Sequence, residues 1–222
     1  CASVVIKTDG KQTVDPAVKA PEVTDKASFL AAVRECGLVG LGGAGFPTNV
    51  KLAPKDDNAI DHIIVNAAEC EPYLTSDYRC MMEDPEKIIG GLKVVLQLFD
   101  KAKGVIGIEN NKPDAIAFLR ELSKHYEGVR VTPLKVRYPQ GGERRLIASV
   151  TGRKINSHLL PADAGVVVLN IATVNAIYEA VYLGKPLVHR VVTVTGNGVN
   201  TPGNFDVPLG ISAKYLRSPA HQ

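Results

Sequence analysis

A glycine-rich stretch, GLGGAGFPTNVK from Gly40 to Lys51, is the part of the sequence most suggestive of ligand chemistry. Four of its first six residues are glycine, a composition that costs backbone entropy unless something must approach the main chain closely. Exposed N–H groups in such a loop favour phosphate, and Lys51 adds a positive charge. The rigid Ala-Gly-Phe-Pro part argues against a flexible linker. The spacing fits neither a Walker loop nor a Rossmann fingerprint, so the pattern predicts a nucleotide or flavin loop of no standard type.

A polar cluster, VNAAECEPYLTSDYR from Val65 to Arg79, follows a short apolar run. Its amide, Asn66, suits a sugar hydroxyl or the edge of a flavin ring. Its carboxylates, Glu69 and Glu71, suit ribose hydroxyls or would repel an extra phosphate. Acid–base catalysis, a metal site and a solvated acidic loop are alternatives that the residues alone leave open.

Two further stretches place glycine or polar residues where a strand gives way to a helix. In RYPQGGERRL, Gly141 opens the backbone at a predicted helix start, which favours an anion or a dipolar ring, and Glu143 lies in the first turn. In VVVLNIATV, Asn170 ends a very apolar strand and Thr173 begins a helix. Helix-dipole and capping roles are the simpler alternatives for these side chains.

Strands and helices are predicted to alternate from residue 62 onward, which is typical of βαβ units and a parallel sheet with its ligand site at the carboxyl ends of the strands. The predicted strands are 62–66, 105–108, 129–136, 166–170 and 188–195. The predicted helices are 25–36, 85–99, 113–126, 142–150 and 173–183. From Gly196 onward dense turn signals predict the start of a β-rich module. The expected fold class is therefore α/β.

The composition is that of a globular protein, with 222 residues, 45% hydrophobic and 22% charged, and a formal net charge of +3. Mixed charges argue against a nucleic-acid partner. No apolar run approaches the ~18 residues of a membrane span. The first residues, CASVVIKTDG, are typical of a strand and turn, so we expect no secretory signal there. The four cysteines, Cys1, Cys36, Cys70 and Cys80, have neither cluster nor zinc spacing, so free thiols and no metal site are expected. Because the sequence starts at Cys1, we expect a piece of a longer protein.

The motifs resemble those of the NADH-binding subunit of respiratory complex I, which read close to GRGGAGFPTGxKW, NADESEP and YxCGEExAL. The stretch from about Gly37 to Thr195 is more similar to RnfC subunits of the Rnf electron-transport complex, whose motifs include NGAECEPYLT and GLPADVGVVVQNV. Corrin reductases of propanediol-using microcompartments and the electron-transfer protein of proline reductase share these motifs. They remain alternatives, as does a non-catalytic scaffold with an empty site.

This resemblance implies a Rossmann-like parallel sheet flanked by helices that binds FMN and oxidises NADH by hydride transfer, with no acid–base catalytic residue and no metal ligand. It places Phe46 nearest the NADH adenine and Glu71 where it would disfavour the 2′-phosphate of NADPH. The implied cofactor-binding residues are Gly40, Gly42, Gly43, Gly45, Phe46, Lys51, Asn66, Glu69, Glu71, Gly141, Glu143, Asn170 and Thr173.

Four positions depart from the complex I motifs and remove polar or aromatic groups. Ala68 and Gly142 stand where complex I has acids, Leu169 replaces an asparagine, and Leu52 replaces a tryptophan. The site therefore has fewer polar anchors than complex I, which predicts a lower affinity for flavin.

The resemblance also implies a division of the chain and a setting for it. Residues 1–25 would be a connecting segment, 26–195 the FMN/NADH-binding domain and 196–222 an incomplete β-grasp segment. Iron–sulfur clusters would belong to the full-length protein but not to this fragment. The partners would be NADH, other membrane and soluble Rnf subunits and, indirectly, ferredoxin. The protein would be peripheral, on the cytoplasmic side of the inner membrane.

Overall fold

Four parallel strands form the central sheet of the computed structural model, which describes residues 4–11, 13–156 and 158–216. The strands lie in the order β3-β2-β1-β4, so the two edge strands are β3 and β4. They are β1 (His62–Ala67), β2 (Lys103–Glu109), β3 (Val129–Leu134) and β4 (Val166–Asn170). Strands in this arrangement require crossover connections, which the helices supply.

Helices cover both faces of the sheet. They are α1 (Lys26–Glu35), α2 (Thr48–Lys51), α3 (Ser76–Glu83), α4 (Pro85–Leu96), α5 (Pro113–Ser123), α6 (Glu143–Thr151), α7 (Ile171–Leu183) and α8 (Ala213–Leu216), with short 3-10 turns at Asp57–Ala59 and Pro161–Ala164. The predicted α/β class, a Rossmann-like parallel sheet flanked by helices, is confirmed. No helix in these described ranges is long and apolar enough to cross a bilayer.

The core is thickest on the side of the sheet that α1, α4, α5 and α7 cover. The helices α4 and α7 pack in close contact, because a Cβ on Gly91 would lie 2.2 Å from the carbonyl oxygen of Val174. A smaller cluster on the other face joins Ile64 to Leu146 and Ile147 of α6. The middle strands are therefore apolar on both faces, as buried parallel strands are.

A separate two-stranded antiparallel sheet follows α7. It consists of β5 (His189–Val194) and β6 (Gly203–Pro208), and we call it the hairpin. The strand that the sequence predicts at 188–195 thus exists, but it pairs with β6 and not with the parallel sheet. The predicted domain boundary between 195 and 196 falls between these two paired strands. Both that boundary and the β-grasp assignment of 196–222 stay predictions.

Three of the helices in the described residues were not expected from the sequence, and one of them, α8, lies in the segment predicted to be β-rich. The short α2 forms at the end of the glycine-rich stretch, and α3 forms within the stretch that the sequence presented as a polar loop. The described part of the predicted connecting segment, 4–11 and 13–25, contains neither helix nor strand. Cys1, whose thiol was expected to be free, lies outside the described residues, as do 217–222 of the predicted β-grasp segment.

Candidate functional site

A cleft of about 860 Å³ opens at the carboxyl ends of the parallel strands. The ends of β1 and β4 form its floor, because Asn66 and Asn170 are register partners on these adjacent strands. Helices α3 and α7 and the hairpin form its walls. The sequence placed a ligand site at this edge, where the polypeptide leaves the sheet and polar side chains need not be buried.

Seven of the thirteen predicted site residues line this cleft: Gly42, Gly43, Asn66, Glu69, Glu71, Gly141 and Asn170. The other six lie behind its walls or away from it: Gly40, Gly45, Phe46, Lys51, Glu143 and Thr173. Phe46, expected to meet an adenine ring, has 52% of its surface exposed.

Three of these outer residues hold the walls in place. The ammonium group of Lys51 donates to Oε1 of Glu143 over 2.8 Å and to the carbonyl oxygen of Val168 over 2.9 Å. It thereby joins α2 to α6 and to β4. The hydroxyl of Thr173 accepts from the backbone N–H of Leu41 at 2.9 Å, so α7 anchors the glycine-rich loop.

The glycines of this loop differ in what surrounds them. A Cβ on Gly42 would lie 2.8 Å from Cβ of Asn170, so this backbone packs directly on the floor of the cleft. A Cβ on Gly43 would meet nothing within 4 Å, although the residue lines the cleft. Gly45 adopts φ +67, a backbone conformation that favours glycine. Gly42 is therefore required by packing and Gly45 by backbone shape, whereas neither reason applies to Gly43.

A second loop approaches the floor from β3. The side chain of Asn66 donates to the carbonyl oxygen of Gly141 at 2.9 Å, and the N–H of Gly141 donates to Sγ of Cys70 at 3.2 Å. The carbonyl oxygen of Gly141 is thus bound to Asn66, at the end of β1, and its N–H is bound to Cys70, just after β1. The loop of the YPQGGE motif is thereby held against the cleft.

The carboxylate of Glu69 is buried and accepts hydrogen bonds from the first turn of helix α3. Its Oε1 accepts from the N–H of Asp77 at 2.7 Å and from that of Tyr78 at 3.3 Å, and its Oε2 lies 3.9 Å from Nζ of Lys112. The residue itself adopts φ 49, an uncommon conformation outside glycine. Burial, followed by repulsion from Asp77, raises the pKa of Glu69 to about 7. Glu69 therefore acts first as a cap of α3.

Several residues that line the cleft were not predicted. Asp77 accepts a 2.9 Å hydrogen bond at Oδ2 from the amide of Asn170. Arg190, on the hairpin, donates from Nη2 to the carbonyl oxygen of Leu41 at 3.2 Å. No sequence pattern placed the hairpin residues at the cleft, because their position depends on the direction that the chain takes between α7 and β5. A sequence signal did exist for Asp77, since the Thr-Ser-Asp start of α3 is typical of a helix N-terminus.

The chemistry that this arrangement supports is ligand binding by amides, backbone groups and paired charges. No group of three or more metal-ligating side chains occurs in the part of the chain that the structure describes. The thiols of Cys36, Cys70 and Cys80 are free. Burial raises the pKa of Cys80 to about 12, so this thiol is not a nucleophile near neutral pH.

The fold and the motifs have clear relatives. The profile of a family described as the Nuo51 FMN-binding domain matches residues 33–179. The chain is 43% identical over 212 residues to the C subunit of the Na(+)-translocating ferredoxin:NAD(+) oxidoreductase complex of Acetobacterium woodii, covering 94% of this chain and 48% of that protein. It is 42% identical over 219 residues to the C subunit of the proton-translocating ferredoxin:NAD(+) oxidoreductase complex of Clostridium ljungdahlii, covering 96% and 47%.

A solved structure shares the fold. A chain of an NAD+-reducing [NiFe]-hydrogenase in its H2-reduced state superimposes with a TM-score of 0.74 at 24% identity, over 86% of this chain and 38% of that one. This chain spans about half the length of the two curated relatives. The resemblance to RnfC subunits inferred from the motifs is confirmed. The chain belongs to the family of the Nuo51 FMN-binding domain.

Proposed function

We propose that the cleft binds FMN and NADH and that this chain is the NADH-oxidising flavoprotein core of an RnfC-type subunit. The observation that carries the proposal is the cleft at the carboxyl ends of β1 and β4, with a glycine-rich loop on one side and Asn66 and Asn170 on its floor. This chain belongs to a family described by FMN binding, and the motifs of that family lie around this cleft.

The residues of the cleft fit a flavin nucleotide. The open space beside Gly43 lets a planar or phosphorylated ligand approach the main chain. Lys51 does not line the cleft, but its bonds to Glu143 and to the carbonyl oxygen of Val168 hold the segment that follows the glycine-rich loop in place. Asn66 and Glu71 add polar groups for hydroxyls or ring edges.

In this proposal the protein orients its ligands and the cofactor carries the redox chemistry. When bound, FMN would supply the hydride-accepting chemistry for oxidation of NADH. The chain contributes a walled cleft, which limits access of water to the reacting ligands, and fixed amides and charges that hold them in place. No side chain is assigned a role as general acid or base.

We further propose that the longer protein works as the C subunit of an ion-translocating complex that exchanges electrons between NADH and ferredoxin. Both curated relatives carry that description. In that setting the electrons would leave through iron–sulfur clusters outside residues 1–222. Other membrane and soluble subunits would be the partners, and the protein would be peripheral on the cytoplasmic side of the inner membrane.

The test is to titrate the purified chain with FMN, follow flavin fluorescence, and then add NADH without oxygen. Binding followed by bleaching near 450 nm supports an NADH-oxidising flavin core. Binding without bleaching would remove the NADH part of the proposal. An absence of FMN binding would overturn it and favour the scaffold alternative.

A further inference from the structure

We propose that Asp77 is a positioning residue of this cleft, because it ties Asn170 and Glu69 to the start of α3. The inference rests on the proposed function, since the site that it positions is the proposed FMN and NADH site. No motif that the sequence resembles singled out Asp77, and its importance follows from its hydrogen bonds.

The side chain of Asn170 is held at both ends. Its Oδ1 accepts from the N–H of Ala172 at 2.9 Å and so caps α7, while its Nδ2 donates to Oδ2 of Asp77 at 2.9 Å. The second bond fixes which end of the amide faces the cap. Without Asp77, the Nδ2 group would keep no protein partner among the residues that the structure describes.

The orientation of Asn170 in turn determines where the glycine-rich loop can lie. A Cβ on Gly42 would come within 2.9 Å of Nδ2 of Asn170, so the loop backbone packs against this amide. A rotated Asn170 would therefore change the wall of the cleft that Gly42 and Gly43 form. Through Asn170, Asp77 acts on residues that line the cleft without being required to touch the ligand.

The main chain of Asp77 reaches a second predicted site residue. Its N–H donates to Oε1 of Glu69 at 2.7 Å, so the loop after β1 and the end of β4 meet at one residue. The charged groups that face the Asp77 carboxyl are Glu69, Lys112 and Arg190, from three different parts of the chain. Burial raises the pKa of Asp77.

A purely local role for Asp77 is the competing explanation. The residue lies in the first turn of α3, where an acid is favourable for any helix. In that case its removal would lower stability but would not specifically loosen the loop at residues 41–43 or the cap at Ala172. The two explanations therefore differ in a measurement on the ligand-free protein.

The experiment compares Asp77→Ala with Asp77→Asn, which keeps an acceptor oxygen for Asn170. Asp114→Ala is the matched control, because Asp114 accepts from the hydroxyl of Tyr78 and anchors α3 away from the cleft. Hydrogen–deuterium exchange is measured on each ligand-free chain, and FMN affinity is measured by fluorescence.

We expect Asp77→Ala to speed exchange at residues 41–43 and 172 and to weaken FMN binding about tenfold, the usual effect of one lost hydrogen bond. Asp77→Asn should restore both values to near those of the unmodified chain, and Asp114→Ala should leave both unchanged. If Asp77→Ala fails to fold, Asp77→Ser replaces it, because serine is also favoured near helix starts.

Unchanged exchange at residues 41–43 and 172 in the Asp77→Ala or Asp77→Ser chain would overturn the inference. Equal loosening in Asp114→Ala would overturn it as well, because α3 as a whole would then be responsible. If the unmodified chain binds no FMN, the proposed function fails. The exchange data on ligand-free protein would still decide the role of Asp77.

Discussion

Lys51 and Glu143 are 92 positions apart in the sequence, yet Nζ of Lys51 lies 2.8 Å from Oε1 of Glu143. The contact joins the glycine-rich stretch to the start of α6. These two segments carry different sequence motifs, and both motifs were predicted to form the same site. The same ammonium group reaches the carbonyl oxygen of Val168 on β4. A single side chain thus sets the distance between the glycine-rich loop and β4.

Replacing Lys51 by methionine should weaken FMN binding about tenfold or more, because Glu143 and the carbonyl oxygen of Val168 lose the group that ties α2 to α6 and β4. Flavin fluorescence in a titration measures the effect. Lys55→Met is the matched control, since Lys55 is exposed and the substitution makes the same change in charge. Equal FMN affinities in the two variants would show that Lys51 does not contribute to FMN binding.

Alanine at two adjacent glycines should separate packing from ligand approach. Gly42→Ala forces a Cβ to 2.8 Å from Cβ of Asn170, so we expect both lower stability and weaker FMN binding. Gly43→Ala meets no atom within 4 Å, so its unfolding midpoint should stay close to that of the unmodified chain while FMN binding weakens. Urea unfolding and fluorescence titration give the two numbers. Full FMN affinity in Gly43→Ala would show that no ligand approaches this backbone.

Much of the sheet could be predicted from local pattern alone. The strands 62–66 and 166–170 and the helix α7 carry runs of apolar residues, and α7 has a clear end at Gly184. Local periodicity suffices where one segment buries a continuous face. The position of Asn66 beside Asn170 followed from parallel topology, which brings strand ends to one edge.

The contacts within the site could not be predicted in the same way. The role of Glu69 as a cap of α3 depends on a positive φ and on a helix that begins seven residues later, which short-range pattern does not reveal. The hairpin wall depends on β5 pairing with β6, so Arg190 carried no signal. Motif resemblance identified Lys51 and Glu143 but not the bond between them.

Gly91→Ala tests the packing of α4 on α7. The new Cβ would lie 2.2 Å from a backbone carbonyl oxygen of Val174, which cannot move without shifting α7. We expect a loss of about 1–3 kcal/mol or more in the free energy of unfolding, measured by urea. Gly128→Ala, at a site with open space but positive φ, provides a comparison for backbone strain alone. Unchanged stability in Gly91→Ala would contradict this helix contact.

The buried carboxyl of Glu69 should make stability depend on pH near neutrality. Its pKa is raised to about 7 in the folded chain, mainly by burial, from an ordinary value of 4.5. The folded state holds the proton of Glu69 more tightly than the unfolded state does. The stability that protonated Glu69 contributes is therefore fully present below pH ~4.5 and is lost as the pH rises through ~7. Relative to Glu69→Gln, the unmodified chain should therefore lose about 2–3 kcal/mol between pH 5 and pH 8.

Urea unfolding of ligand-free protein at several pH values measures this difference. Glu69→Gln keeps a side-chain oxygen that can accept from the N–H of Asp77, so α3 should remain capped while the titration disappears. Glu83→Gln, which removes an exposed acid on the same helix, is the control and should follow the unmodified chain. Parallel pH profiles for Glu69→Gln and the unmodified chain would mean that Glu69 is charged throughout this range. Lys112, whose Nζ lies 3.9 Å from Oε2 of Glu69, would then be the group that stabilises the buried, ionised carboxylate of Glu69.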